Sequence, residues 1–211
     1  MQIHELVNTP DQDRDHAWEQ NFLLALPMSK INIISSDPQQ GPDGLPYLLA
    51  QTSEQATEPA IKVLDWLSTK GIGLVINPEK SYPDFVLSWG MIWNFKERQG
   101  FDTAQSDVPV GTVEISENQK LLAGAPSPDY LPDYVRGIMR DFFRDQGFYQ
   151  IKILVMSTDK KHFDLAFSLD SLRNPAKEEH QGIAEAISWF LPPHYSVMLV
   201  NEAGLPAFVD L

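Results

Sequence analysis

Between residues 11 and 26, Ala17, Trp18, Phe22, Ala25 and Leu26 recur at near-helical spacing behind an acidic first turn, and Pro27 breaks the pattern. That predicts a first helix. Ile31, Ile33 and Ile34 form a short β-branched run, and the turn sequence Pro42-Asp43-Gly44 leads into Tyr47-Leu48-Leu49, giving two strands with a loop between them. Thr57 as N-cap, Pro59 in the first turn, apolar Ile61, Leu64, Trp66 and Leu67, and a closing Gly71 predict a second helix. Leu74-Val75-Ile76 follows as a buried strand ending at Asn77-Pro78. Aromatic and β-branched residues from Phe85 to Phe95 favour a further strand.

From Arg98 to Pro128 the composition shifts to Gly, Pro, Ser, Asp and Gln, with strand candidates at Val113-Glu114-Ile115 and Leu121-Leu122. Ser127 and Pro128 open the clearest helix, where Leu131, Val135, Ile138, Met139, Phe142 and Phe143 share one face before Gly147. Ile151–Met156 and Phe163–Leu169 read as strands, residues 176–191 as an amphipathic helix, and Tyr195–Val200 as the last strong strand, with Phe208 and Val209 at a sheet edge.

Both ends of the chain therefore read helix, strand, strand, helix, strand, and Ile31 and Ile151 open corresponding strands. Ile61 through Trp66-Leu67 to Val75-Ile76-Asn77 matches Ile183 through Trp189-Phe190 to Leu199-Val200-Asn201. The expected fold is α/β or α+β, with two related halves whose mixed sheets are covered by helices. Residues 1–97 form the first half, 98–127 a connector and 128–211 the second; one compact unit of the same length is also consistent.

Charge narrows the partners. The chain has 29 acidic against 16 basic residues, a net −13. That balance opposes attraction to nucleic acid or anionic lipid. It suits solubility or a basic partner surface. With no cysteine, disulfides, thiolate metal sites and cysteine nucleophiles are excluded, and a reducing compartment fits. The N-terminus has no basic segment leading into an apolar run, and no apolar stretch nears the roughly 20 residues of a membrane span. A cytoplasmic location, without membrane association, is the expectation.

Little points to chemistry. His4, His16, His162, His180 and His194 form no HxH, HExxH or HxxxH pair, so no metal or other cofactor is expected. His16 shares a helix face with Glu19, and His162 a strand face with Asp164, as surface residues or as half of an acid-base or metal site. No Gly-x-Ser-x-Gly elbow occurs. Gly71 and Gly73 precede a strand, whereas a dinucleotide fingerprint follows one. Arg136, Arg140 and Arg144, four apart, line one helix face, with Asp133 and Asp141 placed to counter them. They form either a solvated, self-paired face or a docking stripe for an acidic or phosphate-bearing partner. Trp89 and Trp93 belong to a core or, if their segment is an exposed edge, to a protein-binding hot spot.

The stretch from Pro59 to Asn94, containing IKVLDWLSTKGIGLVINPEKSYPDFVLSWGMIW, carries Gly71, Gly73, Asn77 and Pro78 where a helix leads into a Gly-rich strand ending in Asn-Pro. In this it resembles the SseB-like, enhanced-serine-sensitivity proteins. The resemblance covers about a third of the chain and implies an α/β fold in two domains, with no catalytic residues to carry over. The function expected is a non-enzymatic, protein-binding or accessory module, with a homodimer open. The alternatives are a secretion-type chaperone, or a hydrolase drawing on His162, Asp164 or His194 across the halves.

Overall fold

A computed structural model describes residues 3–101 and 121–211. The Val113–Ile115 strand candidate lies outside the described residues, as does most of the expected connector. The described residues contain six α-helices and two mixed sheets, an α+β fold with no helix long and apolar enough to cross a membrane. The chain divides into two compact units, Met1–Thr103 with Phe190–Pro192, and Ala104–Trp189 with Pro193–Leu211.

In the first unit the order is α1 (Ile3–Leu6), α2 (His16–Ala25), β1 (Lys30–Ile33), β2 (Gln39–Gln40), β3 (Pro46–Gln51), β4 (Glu58–Pro59), α3 (Ala60–Ser68), β5 (Gly73–Ile76), β6 (Phe85–Leu87) and α4 (Trp89–Arg98). The sheet runs β4-β1-β3-β5-β6, with β2 also on β3. All pairs are antiparallel except β3 with β5, which run parallel across α3. The Pro42-Asp43-Gly44 turn closes the β2–β3 hairpin. Gly44 sits at φ +79, and Asp43 accepts from Leu45 N and the Tyr47 hydroxyl. The core gathers Phe22 of α2 and Leu26 just after it, Leu64 and Leu67 of α3, and Leu74, Ile76 and Leu87 of the sheet.

Two helix starts differ from the sequence expectation for one reason. A proline disfavours helical backbone at the residue before it. Pro59 thus holds Glu58 extended, the pair joins β1 as β4, and α3 starts at Ala60 with Pro59 rather than Thr57 at its N-cap. In the second unit Ser127-Pro128 makes a turn, with Tyr130 N donating to Ser127 Oγ at 3.2 Å. Pro132 then delays the helix to Asp133.

A larger correction concerns Phe85–Phe95. Only Phe85–Leu87 is strand. Ser88 then caps a helix, its hydroxyl accepting from Met91 N at 3.3 Å. The four-residue spacing of Trp89 and Trp93 is helical.

The second unit runs β7 (Leu122–Gly124), α5 (Asp133–Asp145), β8 (Lys152–Ser157), β9 (Asp164–Ser168), α6 (His180–Ser188), β10 (Ser196–Val200) and β11 (Val209–Asp210). Its sheet is β10-β9-β8-β11, with β7 also on β8 and β10 parallel to β9. Val135, Met139 and Phe143 are the buried stripe of α5, and Phe143 lies 6.0 Å from Phe167 of β9.

Each unit thus has an antiparallel strand pair, then a helix, then a strand parallel to the second. Two independent α+β units can reach that order. The residue pairs offered for a duplication part company: Trp66 is exposed while Trp189 is buried, and Asn77 is buried while Asn201 is exposed.

Candidate functional site

Trp89 and Trp93 are core residues of the first unit. Trp89 Nε1 donates to the carbonyls of Leu67 and Ser68, at 3.1 and 3.2 Å, which satisfies acceptors left open at the end of α3. Trp93 Nε1 donates to Phe190 O at 2.7 Å. Leu191 covers Gly90 so closely that an added Cβ would lie 2.0 Å from the Leu191 carbonyl oxygen. Neither tryptophan lies on an exposed edge.

The arginines on α5 are engaged at home. Arg136 donates to the carbonyls of Leu131 and Pro126 at 3.0 and 2.6 Å, Arg140 to the Leu211 carbonyl at 2.5 Å, and Arg144 pairs with Asp141 at 2.7 Å. Asp141 acts as the sequence spacing suggests. Arg136 turns instead to backbone, tying down the turn before its own helix.

His162 bonds Asp159, at 2.5 Å, on the exposed β8–β9 turn. Asp159 also accepts from the backbone N–H groups of His162 and Lys161, and these bonds, with the ring behind them, hold its carboxyl well below the usual carboxylate range. Asp164 lies near Tyr130 instead. Burial pushes the Tyr130 phenol above the usual tyrosine range, with Tyr195 and Asp164 adding to it. Tyr195, stacked on Tyr130 at 4.5 Å, donates its hydroxyl to the Tyr130 carbonyl, and His194 packs edge-on against Tyr195. His16 is 3.6 Å from Glu19 on the exposed face of α2. Among the described residues no three His, Asp or Glu side chains gather as metal ligands.

Two features of the first unit were not singled out in the sequence. Asp84, its side chain fully buried, accepts from Arg14 at 2.6 Å, from Lys80 at 2.8 Å and from Asn77 Nδ2 at 2.5 Å. Asn77, left-handed at φ 54, also accepts from Thr52 N and donates to Thr52 Oγ1, both at 2.8 Å. The network closes the carboxyl ends of β3 and β5, where open α/β sheets hold ligands. Here the donors are spent on protein acceptors: Arg14 also reaches the Thr9 and Val7 carbonyls, and Lys80 the Val7 carbonyl. The arrangement clamps residues 3–14 to the sheet.

The second feature is a track of three adjoining depressions. The largest, about 840 Å³, is lined by residues of α1 and α2 and by Lys30, Ser53 and Glu54. It shares Leu24 and Met28 with a middle depression of about 460 Å³, walled by Leu23, Pro27, Ile61, Phe95 and Phe101. That in turn shares Ile61, Phe95 and Gln99 with a third of about 320 Å³. Leu24 is 74% and Met28 89% exposed, so together they form an apolar ridge between the first two hollows.

Local chain geometry makes the track. Pro27 stops α2 and starts a single 3-10 turn that sends Met28 outward, while Ser29 Oγ bonds back to the Ala25 carbonyl at 2.7 Å. At the far wall Gln99, left-handed at φ 55, ends α4 and folds Phe101 onto Phe95, with ring centroids 4.6 Å apart. Sequence reading missed the track because it weighs apolar residues by periodicity. Leu24 and Met28 count as ordinary helix-end hydrophobics until the fold shows which face is left bare.

No family model, curated protein or solved structure matches this chain.

Proposed function

We propose that the protein is a non-catalytic binding module that holds an apolar segment of a partner protein in the track across α2, α3 and α4. The observation that carries this reading is the Leu24–Met28 ridge, two large apolar side chains left in water between connected hollows. Fully burying a leucine or methionine side chain is favourable by about 1.5–3 kcal/mol, so a folded surface that leaves both out keeps that free energy in reserve for an occupant. Methionine adapts its shape to varied partners. The middle hollow lies within the usual 300–1,000 Å³ of small-ligand sites (about that range), but its continuity with a hollow on either side favours a polypeptide. A secretion-type chaperone would use the same surface for a partner's shielded segment.

The hydrolase alternative finds less support: His162 bonds to Asp159 on an exposed turn and not to Asp164.

The test is selection of short random peptides displayed on phage against the wild-type protein, with binders then measured on Leu24→Ser/Met28→Ser. Peptides that lose about tenfold or more in affinity on the double variant, with an unchanged melting curve, support the reading. A selection that yields no binder dependent on these two residues refutes it.

A further inference from the structure

The track is chemically asymmetric, and its asymmetry describes the occupant. Among the described residues the middle hollow is lined by no charged side chain, only Gln20 and Gln99 as polar groups. At one end Lys30 and Glu54 oppose each other in sign. At the other stand Lys62, Lys96 and Asp65. Asp65 faces Lys96 at 3.8 Å, which leaves Lys62, exposed and without an ion pair among the described residues, as an uncompensated cation. This end is locally positive in a chain of net −13.

Resting on the groove reading above, we infer that the partner segment is apolar at its centre and carries carboxylates at the end that reaches Lys62. The chain's overall negative charge opposes an acidic ligand, but at physiological salt that field is screened beyond about 8 Å. A carboxylate in direct contact with Lys62 is not screened in the same degree. The apolar centre supplies affinity and the lysine sets polarity: which end of the segment lies where.

The experiment takes one apolar core from a selected, ridge-dependent peptide and makes it with an acidic flank and with a basic flank. Each is labelled and titrated by fluorescence anisotropy against wild type, Lys62→Glu and Leu24→Ser/Met28→Ser. Lys62 is exposed and makes no ion pair among the described residues, so its reversal is expected to lower stability only slightly through the like charge of Asp65, which a melting curve checks. The acidic peptide is expected to bind wild type about threefold to tenfold more tightly than the basic one, as one or two exposed ion pairs allow, and Lys62→Glu is expected to abolish or reverse that preference. Equal affinities, or a tighter basic peptide, overturn the inference while loss on the Leu24/Met28 variant keeps the groove reading. If the flanks discriminate but the Leu24/Met28 variant binds undiminished, the groove reading fails instead, and the inference with it.

Discussion

Replacing Asp84 by asparagine removes one charge from a place where water cannot make up for it. The carboxylate side chain is fully buried, the Arg14 side chain is 12% exposed and Lys80 38%. Breaking a buried ion pair by removing one partner costs about 3–5 kcal/mol. Lys80 can swing back into solvent and Arg14 keeps its bonds to the Thr9 and Val7 carbonyls, so the lower end, about 3 kcal/mol, is expected. With a urea slope of about 1–3 kcal/mol/M, the unfolding midpoint falls by about 1–3 M. The clamp also predicts where the loss shows first. Hydrogen exchange in residues 3–14 should speed up before that of β3 and β5, because Asp84 positions the two cations that grip Val7. A stability change under about 0.5 kcal/mol, or uniform loss of protection, would refute the view that this network is a structural clamp.

Gly90→Ala drives a methyl into the Leu191 backbone, and thermal melts should show a loss of about 1–3 kcal/mol or more, as for overpacked cores. Because the Tyr130 phenol is raised by burial, the folded state holds its proton after the unfolded chain would release it near pH about 10. The contribution is therefore whole below that pH and lost as pH rises; tyrosinate absorbance should show one late-titrating group that Tyr130→Phe removes. Asp159 is shifted the other way by its bonds to the His162 and Lys161 backbone. Its contribution is present above about pH 4 and lost as pH falls through its lowered folded value, which carboxyl NMR should record as a carboxylate still ionised in acid.

The sequence pattern revealed elements better than it revealed their ends, and the errors have common causes. Periodicity located α2, α5, α6 and strands β1, β3, β5, β8, β9 and β10, because their apolar spacing reflects the face each one buries. Glu58 and Leu131 each precede a proline, and that local restriction outweighed the better cap or turn residues upstream. Trp89, Ile92, Trp93 and Phe95 have strand-like composition but helical spacing, and tertiary packing beneath Leu191 together with the Ser88 cap settled the competition for helix. The Asp84 clamp joins residues seventy positions apart in its Arg14–Asp84 bond, and no spacing rule reaches that far.

The track was visible in the sequence only as one stop, at Pro27, since the segment before Gln99 reads as strand there. Pro27 and Gln99 end helices, and a helix end is where an apolar side chain can leave the face its neighbours bury. In α2, Phe22 and Leu23 are buried while Leu24, one residue on, is exposed, and the turn forced by Pro27 sets Met28 beside it. Had the helix run on past residue 27 without proline, position 28 would follow Leu24 by four residues on the same outer face, where a polar residue would serve solubility better. Apolar choices at both exposed positions oppose that logic, in contrast to Phe22 and Leu23, which α2 buries. The proposed binding of an apolar partner segment would give that exception its physical reason.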